Sequence, residues 1–512
     1  MADPKVKNIF NPANTQDISI SLEERETNEL VIALVGPVAS GVSKTGEVIA
    51  EILHNIFKYE VEAIRVSDLI KSVSSLVDVS TDGTETEKIR VEKLQDAGTK
   101  LRKKFGGNYL AEKCIDHIAT HRLEHGGYKK VGDALVPTPK RQAYIIDSVK
   151  HPSEISLLND VYGGIFWVFG VFAPEDVREG RLKEKGVSST DIETIFERDE
   201  NEEVGHGQKV RDSIQHADFF VRNDQPNLEQ LRKSIKRYLK LIFGTEIITP
   251  TRDETAMYNA AAAAAGSACL SRQVGAAIYS KDGELIGKGR NDVPKAGGGL
   301  YSFEDDDKDH RCYQWKGSKC HNDAHKEKLY REIAGSLSKA GLVPKKDAFP
   351  KIREAIRQTD VKNLIEFSRA VHAEMDAIIS VARGGKSGLV GGTLYCTTFP
   401  CHSCARHIVA SGISRTVYIE PYPKSLAKEL HEDAITTKDT GEKSVSFVQY
   451  EGVAPKNMLR LFQYRDDRKE DGVAKKRPPA SASPVSRSPL DGYYQREQMV
   501  VQKLHELENV EE

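Results

Sequence analysis

Two short stretches carry residues whose types and spacing can do metal chemistry. The first is VHAEMDAI, residues 371–378, which contains H-A-E. The second is TTFPCHSCAR, residues 397–406, which contains P-C-x-x-C. Tetrahedral zinc takes thiolate and imidazole ligands, and a catalytic zinc keeps its fourth position for water. His372, Cys401 and Cys404 supply three such ligands for one Zn2+. Glu374 is left over as a carboxylate beside the metal, suited to moving protons. A structural zinc would need a fourth protein ligand and would have no use for Glu374.

These side chains need particular elements to bring them together. Cys401 and Cys404 are i, i+3, so a helix puts them on one face, and Pro400 suits the start of that helix. Thiolates at a helix N-terminus are favoured by its dipole. His372 and Glu374 are i, i+2 and would diverge in a helix interior. Both reach one metal only from a first turn whose end points at it.

The surrounding pattern is α/β. Helix HAEMDAIISVAR (372–383), strand TLYCTT (393–398), helix CHSCARHIVASG (401–412) and strand RTVYIEPY (415–422) follow one another. VSFVQY (445–450) adds a last strand before MLRLFQ (458–463). Upstream, NAAAAAAGSACLS (259–271) reads as a helix from its alanines. VGAAIYSKDGELIGKGRN (274–291) reads as a hairpin turning at Asp282-Gly283. Residues 297–360, rich in Gly, Asp and Lys, read as an insertion.

A second pattern of alternation precedes this one. Strand-like runs at 30–35, 62–66, 143–147, 165–172 and 218–223 are separated by helical stretches such as 87–105. That pattern predicts a parallel sheet covered on both faces, with ligands beyond the carboxyl ends of its strands. The domains expected are a polar segment 1–28, a parallel α/β domain 29–245, a zinc-binding domain 250–464 of α/β/α type, and a tail 465–512. The Pro/Ser-rich part of the tail, 465–490, is expected to be disordered. The last helical stretch is either a docking helix for a partner subunit or a frayed end.

GPVASGVSKT, residues 36–45, lies at the carboxyl end of the first strand. It resembles a phosphate loop, but Val42 and Ser43 separate Gly41 from Lys44. Gly36, Gly41, Ser43, Lys44 and Thr45 are the candidate contacts to the phosphates of ATP or another nucleotide. Asp147, ending the strand YIID, sits where a Mg2+-orienting carboxylate belongs. The altered spacing favours phosphate binding over phosphoryl transfer, which depends strictly on positioning.

Composition narrows the classes. The chain has 512 residues, 39% hydrophobic and 29% charged, with net charge −2. A nearly neutral chain has no global field for nucleic acid. No run of eighteen apolar residues and no signal-peptide core is evident, so the reading is cytoplasmic, with no membrane partner. Seven cysteines argue against a disulfide framework.

The H-A-E and P-C-x-x-C pair matches the signature of zinc deaminases acting on cytosine, in which the Glu is the acid–base and not a ligand. With SACLSRQVGAAIYSKDGELIGKGRNDVPKAGGG (267–299) the chain resembles the deoxycytidylate deaminase family. That resemblance implies that Asn291 holds a sugar hydroxyl and that the backbone at Ala373 reads the cytosine edge. DSVKHPSEI, Arg178, Arg181 and the R-D-E at 198–200 resemble nucleoside- and dephospho-coenzyme-A-kinase-like proteins. The fusion of the two resembles bacterial anti-phage cytidine deaminases of the AvcD or DCD type. It implies deamination of dCTP and/or dCMP during phage infection, a homo-oligomer, and restraint by a small RNA or by nucleotides. The departure is KAGGGLYSFEDDDKDHRCYQWKGSKC, which is long and acidic where the family approaches the phosphate.

That insertion holds His310, Cys312, Cys320, His321 and His325, which either bind a second, structural zinc or are surface histidines and two thiols in a loop. Two other functions compete. A deaminase of RNA or single-stranded DNA needs a basic, aromatic track, against which the acidic EDDDKD argues. A bifunctional nucleotide kinase–deaminase needs phosphoryl transfer at Lys44.

Overall fold

The computed structural model describes residues 26–509 except 80–85, 132–133, 202–206, 226, 344–348, 423–424, 440–443, 464–467 and 487. The polar segment 1–28 therefore lies almost wholly outside the described residues. The chain forms two compact units. Unit 1 combines the residues up to Pro250 with those from Glu451 onward, and unit 2 is Thr251–Tyr450.

Unit 1 is built on a parallel sheet. Its strands are β1 (Leu30–Val35), β2 (Glu60–Arg65), β3 (Gln142–Asp147), β4 (Phe166–Phe172) and β5 (Phe219–Arg222). LVIALV and FWVFGVF are buried along their whole length, as strands covered on both faces must be. Their side chains pack with Ile49 and Leu53 of helix α1 (Val42–Asn55). Helices α2 (Glu87–Phe105) and α3 (Tyr109–Glu124) follow before β3. In the sheet, β1 lies between β3 and β4, with β2 beyond β3 and β5 beyond β4. The strand order reverses at β1, and a crevice opens past the carboxyl ends of β1 and β3.

Unit 2 opens with α4 (Arg252–Ala264). Thr251 and Glu254 cap it reciprocally, which starts the helix seven residues before the expected 259. It ends at Ala264, short of the expected 271, and Ser267 turns its hydroxyl to Asn291 O instead. Strands β6 (Gly275–Tyr279) and β7 (Leu285–Arg290) form the hairpin, with Gly283 at φ 88° in its turn. The remaining elements are α5 (Ala373–Arg383), β8 (Thr393–Thr398), α6 (His402–Ala410), β9 (Arg415–Glu420), β10 (Ile435–Thr436) and β11 (Val445–Gln449). The sheet order is β10-β11-β9-β8-β6-β7. Strands β8 to β11 pair in parallel and the hairpin is antiparallel to β8. The insertion forms helices His321–Lys339 and Phe349–Arg357, tied by Arg353 and Glu327.

The chain leaves unit 2 at Tyr450, not at the expected 464. Strand β12 (Gly452–Val453) pairs antiparallel with β5. An unpaired sheet edge is thereby satisfied, which is why the segment belongs to unit 1. Arg460 then stacks 4.0 Å from the Trp167 ring and donates to Gly164 O.

The expectation of disorder over 465–490 fails for the described residues 468–486. Arg477 N donates to Thr245 O and Val485 N to Ile242 O, and Arg141 donates to Pro479 O and Ala482 O. The composition lacks apolar mass, but its carbonyls are held by a side chain from elsewhere. Helix α7 (Leu490–Asn509) docks on α3 of its own unit. No described helix is long and apolar enough to cross a membrane.

Candidate metal centre and nucleotide loop

In unit 2 the three candidate ligands converge. Helix α5 begins at Ala373, so His372 is its N-cap residue and Glu374 falls in its first turn. Helix α6 begins at His402, with Cys401 as N-cap and Cys404 one turn on. His372 Nδ1 lies 3.3 Å from Cys401 Sγ and 3.4 Å from Cys404 Sγ. All three ligand atoms lie within 4.8 Å of one another. Zinc bonds of ~2.3 Å to sulfur and ~2.0 Å to nitrogen at a tetrahedral centre put S and N roughly 3.5 Å apart. The donor set and its spacing therefore fit zinc.

The electrostatics suit the same use. Its hydrogen bond with Cys404 draws the Cys401 thiol far below its ordinary range, while the Cys404 thiol is driven up. Cys401 in turn raises the His372 imidazole to about 9. Glu374 is 4% exposed, and burial pushes its carboxyl up. A carboxyl whose proton affinity burial raises, set beside the ligands, is suited to proton transfer.

Two features that position this cluster are not evident as motifs. A Cβ on Gly289 would lie 2.2 Å from Ala373 O and 2.3 Å from Ala377 N. Only glycine there lets β7 lie against the first turns of α5. Asp376 Oδ2 accepts from Arg290 N at 3.1 Å and fastens the same two elements. The G-x-G of LIGKGRN carried this signal in the sequence.

Asn291 is brought into the same neighbourhood, because Val371 N donates to Asp292 O. Its side chain is engaged within the protein: Oδ1 accepts from Val274 N at 2.7 Å and Nδ2 donates to Arg272 O at 2.8 Å. Ala373 is buried at the helix start, among the first-turn N–H groups that lack helical acceptors.

The insertion's His310, Cys312, Cys320, His321 and His325 do not converge. Among the described residues, His372/Cys401/Cys404 is the one group of three or more candidate ligands drawn together. Trp315 explains this: it stacks with His310, packs on His321, and carries Arg369 3.8 Å from its ring. Cys320 meets Ser271 and Cys312 meets Arg369 instead.

Residues 250–420 match the cytidine and deoxycytidylate deaminase zinc-binding region. The two half-motifs fall inside this zinc-binding region. Part of the chain is 47% identical over 55 residues to a deoxycytidylate deaminase of Enterobacteria phage T2, covering 11% of this chain and 29% of that protein. Another part is 26% identical over 231 residues to a UPF0200/UPF0201 protein of Archaeoglobus fulgidus, covering 44% and 61%. Both matches span less than two thirds of the relative. A dCMP deaminase of cyanophage S-TIM5, solved with dCMP and dUMP, aligns at 17% identity and a TM-score of 0.24, over 40% of this chain and 99% of that one.

In unit 1, loop 36–41 joins β1 to α1, with Gly41 at φ 86°. Gly41, Ser43, Lys44 and Asp147 line a cleft at the crevice. Thr45 lies behind it: fully buried, its hydroxyl donates to Gly41 O and accepts from Asn223 Nδ2. Gly36 is packed against Val171 O. Lys44 pairs outward with Glu47 at 2.8 Å.

The sequence did not single out Lys150 or the loop-closing role of Asp199. Asp199 is fully buried, accepts from Val38 N at 2.6 Å and pairs with Lys150 at 2.8 Å. Lys150 also donates to Gly36 O, Arg178 to Val38 O and Arg181 to Ala39 O. A carboxylate thus occupies an N–H that a phosphate loop would offer to its ligand.

Proposed function

We propose that unit 2 hydrolyses the exocyclic amine of deoxycytidine nucleotides, dCMP and/or dCTP, to the uracil nucleotides and ammonia. The observation that carries this is the meeting of His372, Cys401 and Cys404 beside the buried carboxyl of Glu374. Bound zinc would lower the pKa of a water and so provide a nucleophile near neutral pH. Glu374 accepts the proton that this water gives up. It passes that proton to the ring nitrogen as the water oxygen bonds to the ring carbon bearing the amine, then takes the second proton of that oxygen and hands it to the amine, so the C–N bond breaks, a carbonyl forms and ammonia leaves. Ala373 N–H orients the base edge, and Asn291, with one amide hydrogen and one lone pair still available, takes the sugar hydroxyl.

The resemblance to anti-phage deaminases supports nucleotide depletion as the cellular outcome, with a homo-oligomer and an inhibitory small RNA. The unit 1 cleft supports regulatory nucleotide binding. The engagement of Thr45 and the outward Lys44 argue against phosphoryl transfer there.

The test is product analysis by chromatography after incubation with dCMP, dCTP and cytosine-containing oligonucleotides. Conversion of a free nucleotide is expected. Conversion confined to the oligonucleotides would sink this reading and favour the polynucleotide one.

A further inference from the structure

The unit 1 cleft contains polar atoms that the protein itself does not use. Gln95 is 3% exposed, and neither its Nε2 nor its Oε1 has a hydrogen-bond partner. Arg102, 2% exposed, spends Nε on Glu154 at 2.8 Å, while Nη1 has no partner. Asp147 Oδ1 is likewise buried, and its carboxyl has Ser43 beside it. All three residues line the cleft that also holds the 36–45 loop. Buried polar groups are nearly always paired, so the unpaired atoms of Gln95 and Arg102, on residues that line a single cleft, mark a place built for a ligand.

Gln95, Gly98 and Arg102 share one stripe of α2 at i, i+3 and i+7. Gly98 is in the middle of the helix, where glycine is unfavourable relative to alanine. Its own packing does not require it. A Cβ there would meet Arg102 Nη1 at 3.4 Å and Ile70 at 3.5 Å, both ordinary contacts. The glycine leaves a methyl-sized gap on the stripe between Gln95 and Arg102.

We propose that this stripe of α2 is a nucleobase site, taking the pyrimidine base of a nucleotide whose phosphates face the 36–45 loop. The inference rests, for its phosphate end, on the reading of that loop as a phosphate site. A glutamine amide offers one donor and one acceptor side by side, the complement of a base's hydrogen-bonding edge. Arg102 adds a position that only donates. Cytosine and uracil both carry the O2 acceptor beside N3. Adenine has a C–H at the corresponding place and guanine has an amino donor. The apolar walls, Val66, Ile70 and Leu94, suit the faces of the ring.

The full-length protein is titrated calorimetrically with UTP, uridine and ATP, and hydrogen exchange is followed in the same samples. UTP lacks an exocyclic amine and is not consumed. UTP is expected to protect residues 87–105 and to bind at least tenfold tighter than ATP. Gln95→Leu and Gly98→Ala should each weaken UTP at least tenfold while melting no lower than the parent. A glutamine or glycine with a merely structural role would instead lower the melting temperature and leave affinity alone. The proposal is overturned if UTP protects only residues 251–450, if ATP matches UTP, or if both variants bind UTP as the parent does. Equal protection of α2 by uridine and UTP would remove the phosphate role of the loop and leave the base site standing.

Discussion

Glu374 and the three ligands make different demands on their neighbours, and substitution separates them. Glu374→Gln keeps the shape and removes the proton carrier. It should retain zinc and lose about 10²–10⁴-fold in turnover, the usual range for a general acid–base. Metal content by mass spectrometry alongside the rate checks this, and loss of zinc would reassign Glu374 as a ligand. Cys401→Ser should instead abolish zinc binding, because the thiolate is the stronger ligand and His372 Nδ1 already stands 3.3 Å from it. At this scale the sequence was informative. H-A-E and P-C-x-x-C name chemistry through residue type and spacing alone. The engagement of Asn291 by Arg272 O and Val274 N was not legible, since it depends on where a loop folds back.

Elements decide whether those residues meet. Helix α5 approaches β7 so closely that Gly289→Ala must push the two apart. The expected cost is about 1–3 kcal/mol, with weakened zinc affinity, because the shifted turn carries His372. Urea denaturation and a zinc competition titration measure the two effects. An unchanged zinc affinity would mean that α5 holds its register without this contact. The strands and helices of both sheets were largely readable from apolar runs, and 87–105 emerges as one helix with the boundaries expected. The helix expected at 259–271 was misplaced, because alanine content gives no end signal while the Thr251–Glu254 cap does. The loop 36–45 was legible as a turn. Its closure by Asp199 was not, since that carboxylate comes from a distant helix and is recognised only by where it lands.

At the scale of the whole molecule the C-terminal segment matters most. Arg122 is buried between Glu29 and Glu497, at 2.8 and 2.6 Å, and lies 4.3 Å from the Tyr494 ring. Removing the guanidinium leaves two buried carboxylates without their counter-charge. Arg122→Ala should therefore destabilise unit 1 by about 3–5 kcal/mol. In chemical denaturation its transition should move while zinc stays bound to unit 2; a shift below ~1 kcal/mol would mean water reaches the pair. None of this was visible in the sequence. Low apolar content suggested disorder over 465–490 and left the last stretch as either a partner-docking helix or a frayed end, yet α7 is anchored by Tyr493, Tyr494 and Glu497, which composition does not distinguish from surface residues.

If one zinc on His372, Cys401 and Cys404 works with Glu374 to deaminate free deoxycytidine nucleotides, as proposed, turnover must follow the metal. The most direct test is to strip the metal, add zinc back in steps, and follow dCMP and dCTP conversion against bound metal. The rate should rise in proportion to zinc and level off at one ion per chain. Fully loaded protein that converts neither nucleotide, or conversion that does not track zinc, would contradict it.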